Sequence, residues 1–144
     1  MRGTVGAVSS ILLVEADVAT SDAWADAVAE AGHAVLVAAG TREALARVRE
    51  GGIDLVVIDV YDPRAGVVEL ARAIDALPDA PPIVLISESP DAPQISARIG
   101  AAMFVPKPFE PTELVRSLGE LLERLSPYPR IDDDSRPTRR FGVG

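Results

Sequence analysis

The sequence contains no cysteine and only one histidine, His33. Without cysteine, disulfide bonds, thiolate nucleophiles and zinc sites with sulfur ligands are excluded. A single histidine is too few for a metal site or a catalytic triad built on histidine side chains. Aromatic residues make up only 4% of the chain, so we expect a core built mainly from alanine, valine, leucine and isoleucine.

Positive charge is also scarce, and the formal net charge is −8. This acidic balance opposes binding to the phosphates of nucleic acids and to anionic lipids, so we expect neither as a partner. No apolar run approaches the length of a membrane span, and Glu15 interrupts the first apolar run before it could serve as the core of a signal peptide. We therefore expect a cytoplasmic protein.

Short apolar runs alternate with segments of helical pattern along most of the chain. A length of 144 residues with 48% apolar content suits one folded domain. We assign that domain to residues 11–125, preceded by a flexible leader at residues 1–10. The stretch 126–144 is rich in proline, aspartate and arginine, and we expect it to be a disordered tail.

The alternation predicts an open, doubly wound α/β sandwich, in which a five-stranded parallel sheet carries helices on both faces. The predicted strands are Ile11–Val14, Ala34–Ala38, Leu55–Ile58, Ile83–Ile86 and Met103–Val105. The predicted helices are Val18–Ala31, Thr41–Glu50, a segment with Val67, Leu70, Ala71 and Ile74 on one stripe, a short segment carrying Ile95 and Ile99, and Pro111–Leu125.

Polar residues follow four of the five predicted strands: Glu15, Asp59, Ser87 and Lys107. In open parallel sheets the ligand site lies at the carboxyl ends of the strands. Taken singly, each of these residues is more commonly a helix cap or a solvated side chain. Together they suit phosphoryl transfer to a carboxylate. Clustered carboxylates can hold Mg²⁺, one carboxylate can act as the nucleophile, and a hydroxyl and an ammonium can bind the phosphoryl oxygens.

Four motifs in order resemble the receiver domain of bacterial two-component response regulators: I-L-L-V-E-A-D, D-L-V-V-I-D-V-Y-D-P, P-I-V-L-I-S and F-V-P-K-P-F. The resemblance covers residues 11–125 and implies a flavodoxin-like sheet of strand order 2-1-3-4-5. It also implies a signalling phosphoprotein rather than an enzyme, with at most self-catalysed phosphoryl transfer and autodephosphorylation.

The resemblance further implies roles for individual residues. Asp59 is implied as the phosphoacceptor, Lys107 as the amine that binds the phosphoryl group, and Ser87 as the switch hydroxyl. Phe104 is implied as the switch aromatic residue. Pro108 is implied to shape the loop after Lys107 through a cis peptide bond.

The implied Mg²⁺ site consists of Glu15, Asp59 and the backbone carbonyl of Tyr61, but it departs from the family pattern at Ala16. The family usually carries a carboxylate at that position, where it binds the metal directly. Loss of this charge weakens a magnesium site. Asp17 comes one residue late, where a helix begins, and we expect it to point elsewhere.

Three other positions depart from the pattern. Asp62 takes a place that is normally apolar; we interpret it as a turn residue before Pro63, with a replacement carboxylate as the alternative. Gly66 and Val67 stand where an Asp-Gly pair usually opens the third helix, which removes a helix cap. Glu88 follows the switch serine where a small residue is usual, and its carboxylate would repel an incoming dianion unless it faces solvent.

Two functional hypotheses follow. In the first, a histidine kinase or phosphotransfer protein supplies a phosphoryl group to Asp59, and the change reaches a downstream protein. In the second, the chain is a degenerate receiver that binds partners without phosphorylation. The resemblance implies contacts through the fourth helix, the fifth strand and the last helix, including Phe104 and Phe109. Trp24 is interpreted as a core residue, with an exposed docking residue as the alternative. No output module follows Leu125, so we expect a stand-alone receiver or a piece of a longer chain.

Overall fold

The computed structural model describes residues 9–59 and 66–125. In these ranges, strands and helices alternate without exception. The elements are β1 (Ser10–Glu15), α1 (Val18–Glu30), β2 (Ala34–Ala38), α2 (Thr41–Glu50), β3 (Leu55–Asp59), α3 (Val67–Asp75), β4 (Ile83–Ser87), α4 (Ala92–Ile99), β5 (Met103–Pro106) and α5 (Pro111–Leu125).

The five strands form one parallel sheet in the order β2-β1-β3-β4-β5. This confirms the predicted doubly wound architecture and the implied strand order. β1, β3, β4 and β5 each end one residue later than predicted, on Glu15, Asp59, Ser87 and Pro106. β1 also begins one residue earlier, at Ser10, inside the predicted flexible leader. The sheet continues to these residues because pairing with the neighbouring strand, rather than side-chain polarity, sets where a strand ends.

The centre of the sheet is the most deeply buried part of the fold. Every residue of β3 and of β4 is buried, as expected for strands covered on both faces. A core cluster joins the strands to α3 through Leu70 and Ile74. At the edge of the sheet, by contrast, β2 leaves Leu36 and Val37 exposed.

The described residues divide between two compact units. The unit bounded by Val8 and Val115 contains the sheet, α1 to α4 and the first five residues of α5. Within the described part of the chain, the second unit contains the rest of α5, from Arg116 onwards. Among the helices that the structure describes, none is long and apolar enough to cross a membrane.

Candidate functional site

The first relationship at the carboxyl edge of the sheet is between Glu15 and Asp59. The parallel register of β1 and β3 pairs these two residues directly, after pairing Val14 with Ile58. Paired residues on neighbouring parallel strands point to the same side of the sheet, and the strands lie about 4.8 Å apart. Glu15 and Asp59 are both buried. Strand pairing therefore places two carboxylates side by side in a poorly solvated position.

Lys107, which follows β5, reaches Asp59 across the intervening strand β4. Its Nζ lies 2.9 Å from Oδ1 of Asp59; the side chain of Asp59 is only 2% exposed, and that of Lys107 is 28% exposed. Neither oxygen of Asp59 accepts a hydrogen bond of acceptable geometry from residues 9–59 or 66–125, so the short contact is an ion pair. The Asp59 carboxylate is thus buried and charge-compensated, but its hydrogen-bonding capacity is unused by the described residues.

The pKa of Glu15 is raised by this environment. Burial, followed by contact with Asp59, raises the pKa of Glu15 from 4.5 to about 7, whereas a hydrogen bond from Asp17 and the charge of Lys107 oppose the rise. In that hydrogen bond, the backbone N–H of Asp17 donates to Oε2 of Glu15 over 2.8 Å. The cause is physical: burial disfavours an anion, and a second carboxylate beside it disfavours it more. Glu15 is therefore partly protonated near neutral pH.

The side chain of Asp17 is directed to α1, as expected from the sequence. Its Oδ2 accepts hydrogen bonds from the backbone N–H of Thr20 at 2.9 Å and from the Thr20 hydroxyl at 2.7 Å. Asp17 is the N-cap of α1, and these bonds hold its pKa below the usual value. Its carboxylate is therefore engaged in capping, while Ala16 contributes no oxygen ligand beyond its backbone.

Ser87 ends β4 at the same edge and is buried. Its Oγ accepts a hydrogen bond from the backbone N–H of Ser89 at 3.0 Å, and its backbone carbonyl accepts one from the backbone N–H of Lys107 at 3.4 Å. The next residue, Glu88, is exposed. The repulsion expected from a carboxylate facing into the site is therefore reduced by solvent.

Trp24 joins the site from α1, which the sequence did not indicate. It is only 7% exposed, so the interpretation as a core residue is confirmed. Its ring lies 5.1 Å from that of Phe109, centroid to centroid, at an interplanar angle of 30°. The Nζ of Lys107 lies 5.9 Å from the centroid of the Trp24 ring. The helical spacing indicated burial, but no local signal relates Trp24 to a lysine so distant along the chain.

The remaining predicted residues divide into those the structure describes and those it does not. The Lys107–Pro108 peptide bond is cis, as predicted. Phe104 is partly buried and packs against the core cluster. Tyr61 and Asp62, as well as the leader up to residue 8 and the tail from residue 126, lie outside the described residues. Within residues 9–59 and 66–125, no group of three or more aspartate, glutamate or histidine side chains is placed so that it could hold a metal ion.

Both the sequence and the fold of this chain are similar to those of known proteins. A family model described as the response regulator receiver domain matches residues 11–119. The phosphate regulon transcriptional regulatory protein PhoB of Pseudomonas aeruginosa is 31% identical over 122 residues, covering 82% of this chain and 53% of the relative. The DNA-binding transcriptional regulator NtrC of Rhizobium meliloti is 31% identical over 130 residues, covering 88% of this chain and 27% of the relative. The chain thus spans about half or less of these relatives.

Solved structures show the same similarity. The chemotaxis protein CheY4 of Vibrio cholerae superposes with a TM-score of 0.69 at 27% identity, over 80% of this chain and 99% of that one. The non-phosphorylated HemR receiver domain of Leptospira biflexa gives a TM-score of 0.72 at 26% identity, over 84% of this chain and 99% of that one. In these two structures the similarity extends over nearly the whole of the compared chain.

Proposed function

Because the chain belongs to the response regulator receiver domain family of bacterial two-component systems, we propose that Asp59 accepts a phosphoryl group from a histidine kinase or phosphotransfer protein. The signal then passes to a downstream protein by direct contact. The proposal rests most heavily on the state of Asp59. A carboxylate that is buried, paired with an ammonium at 2.9 Å and without hydrogen bonds from the described residues is costly to maintain. A buried carboxylate left without hydrogen bonds in this way calls for an explanation, and a functional role supplies one.

The residues at this edge can perform the transfer as follows. An oxygen of Asp59 attacks the phosphorus of a phosphohistidine, the P–N bond breaks, and its electron pair leaves with the imidazole nitrogen. The product is an acyl phosphate on Asp59. Oδ1 is paired with Lys107, which leaves Oδ2 as the oxygen for attack. Lys107 and the hydroxyl of Ser87 then hold phosphoryl oxygens.

Glu15 and Asp59 are the side chains proposed to hold Mg²⁺, which receivers of this family usually bind. Their fit is supported by two buried Asp59 oxygens that lack hydrogen bonds from the described residues, and by the hard oxygen donors of both carboxylates. The implied third ligand, the carbonyl of Tyr61, lies outside the described residues. When bound, the metal would neutralise charge on the phosphoryl oxygens. Ala16 makes the site weaker by one carboxylate.

The relay is proposed to run through Ser87 and Phe104. The Ser87 Oγ accepts a hydrogen bond from the backbone N–H of Ser89, and its O–H would donate to a phosphoryl oxygen. Phe104 lies on β5, the strand next to the one that carries Ser87. Its side chain is only partly buried against the core, which leaves it room to change its position. The proposed docking face for the downstream protein consists of α4, β5 and the beginning of α5.

Intact-protein mass spectrometry with acetyl phosphate and excess Mg²⁺ tests this function. We expect the mass of one phosphoryl group to be added to the wild-type chain and removed by hydroxylamine, which cleaves acyl phosphates. Asp59→Asn should remain unmodified, whereas Asp22→Asn, at an exposed acid on α1, should be modified like the wild type. An unmodified wild type, or equal modification of Asp59→Asn, would overturn the proposal and favour a receiver that acts without phosphate.

A further inference from the structure

The ammonium of Lys107 lies between two groups of opposite character. On one side is Oδ1 of Asp59 at 2.9 Å, and on the other is the ring of Trp24, with its centroid 5.9 Å away. The side chains of Asp59 and Trp24 are almost fully buried. These are also the only lysine and the only tryptophan in the sequence. The contact therefore joins the sole ammonium side chain of the protein to its largest aromatic surface.

We propose that Trp24 is a positioning residue for Lys107, which it holds against Asp59 by a cation–π contact and by packing against Phe109. This inference rests on the proposed role of Asp59 as the phosphoryl acceptor. Trp24 does not touch the reacting atoms. It acts through Lys107, and through the loop from Lys107 to Phe109 that carries this lysine into the site.

The cation–π contact has a physical reason to matter here. A lysine has a long, flexible side chain, and holding it in one conformation costs rotamer entropy. The Lys107 side chain is partly exposed, so its ammonium could otherwise turn towards water. The indole is the aromatic group that attracts an ammonium most strongly, and the attraction increases when water is excluded. The Trp24 ring thus opposes escape of the ammonium from the site.

The contact between Trp24 and Phe109 acts on the backbone instead. The two rings lie 5.1 Å apart at 30°, within the range of favourable aromatic pairs. Phe109 is separated from Lys107 by Pro108 alone, which restricts the backbone between them. A shift of the Phe109 ring is therefore transmitted to the lysine. One side chain on α1 constrains both the loop and its ammonium.

The first test is structural and independent of phosphorylation. With ¹³C-lysine labelling, the chain yields the signals of a single lysine, so no assignment is needed. Protons over the face of an indole are shielded, and we expect the Hε resonances of Lys107 to be displaced upfield. Trp24→Leu should return them to the position of a free lysine, and Trp24→Phe should keep part of the displacement. Undisplaced resonances in the folded wild type would overturn the inference.

The second test is kinetic. Because Trp24 holds the ammonium that binds the transferred phosphoryl group, Trp24→Leu should slow modification by acetyl phosphate about two- to fivefold, with Trp24→Phe retaining more of the rate. Val28→Ala, at another buried position of α1, serves as the control for a general loss of packing. Equal rates in Trp24→Leu and Val28→Ala would reduce Trp24 to a structural residue and overturn the inference. If the wild type is not modified at all, the proposed function fails, and the resonances of Lys107 alone decide the positioning role.

Discussion

The Nζ of Lys107 lies 2.9 Å from Oδ1 of Asp59, and this ion pair joins the end of β3 to the loop after β5. Its two members differ in solvation, since the aspartate is almost completely buried while the lysine keeps contact with water. Removing the lysine would leave a buried anion without its partner. Removing both charges together would not, and this asymmetry can be measured.

We expect Lys107→Met to lower the free energy of unfolding by roughly 1–3 kcal/mol, less than the ~3–5 kcal/mol of a fully buried pair because the lysine is partly exposed. The double variant Lys107→Met with Asp59→Asn should recover most of this loss, since no charge is then left unpaired. Urea unfolding of the two single variants, the double variant and the wild type gives the coupling energy. A double variant as unstable as Lys107→Met would show that the ion pair is not the cause.

The pKa of Glu15 should make stability depend on pH. Its pKa rises from 4.5 to about 7 on folding, so the folded state binds more protons between these values. The stabilising contribution is therefore full below about pH 4.5 and is lost as the pH rises through about 7. We expect Glu15→Gln to remove this component, so that the variant gains stability relative to the wild type as the pH rises from about 5 to about 8.

Urea unfolding at several pH values measures that difference directly, and the ¹³C resonance of the Glu15 carboxyl provides an independent titration. Asp22→Asn, at an exposed acid on α1, is the control for a general change in charge. A difference between Glu15→Gln and the wild type that stays constant with pH would contradict the expectation.

A carboxylate at position 16 should strengthen the proposed magnesium site. We expect Ala16→Asp to raise the affinity for Mg²⁺ by about tenfold or more, because a further anionic oxygen donor joins Glu15 and Asp59. Ala16→Asn has nearly the same shape without the charge and is the matched control. Isothermal titration with MgCl₂ distinguishes them, and equal affinities of the two variants would show that position 16 does not reach the metal.

The position before α3 requires a glycine, because both its backbone conformation and a close neighbour oppose a side chain there. Gly66 has φ of 83°, and a Cβ there would lie 2.9 Å from Oγ1 of Thr41. We expect Gly66→Ala to destabilise the protein by about 1–3 kcal/mol, since both strain and contact oppose the side chain. Gly119 lies in α5 with nothing within 4 Å of an added Cβ, so Gly119→Ala should instead be neutral or stabilising. Thermal unfolding of both variants tests the contrast.

From the sequence, Gly66 indicated only that a helix cap is missing at the start of the third helix. The sequence showed that an Asp-Gly pair was missing, and the structure confirms that α3 begins without a side-chain hydrogen bond at its N-cap. The approach of Thr41 was not predictable, because it depends on how α2 and α3 pack against each other. Trp24 is a similar case: its burial followed from helical spacing, while its contacts with Lys107 and Phe109 did not.

The sequence by itself determined the order of elements, the parallel sheet and the family, because apolar periodicity and the four motifs are local properties of the chain. It also indicated that Glu15, Asp59, Ser87 and Lys107 belong to one edge of the sheet, since parallel strands bring their carboxyl ends together. Only the tertiary structure decided which of these residues touch. The Glu15–Asp59 pairing, the raised pKa of Glu15 and the position of Lys107 between Asp59 and Trp24 all depend on burial and distance across separate strands and helices. Those quantities are set by packing, which joins residues far apart in the chain.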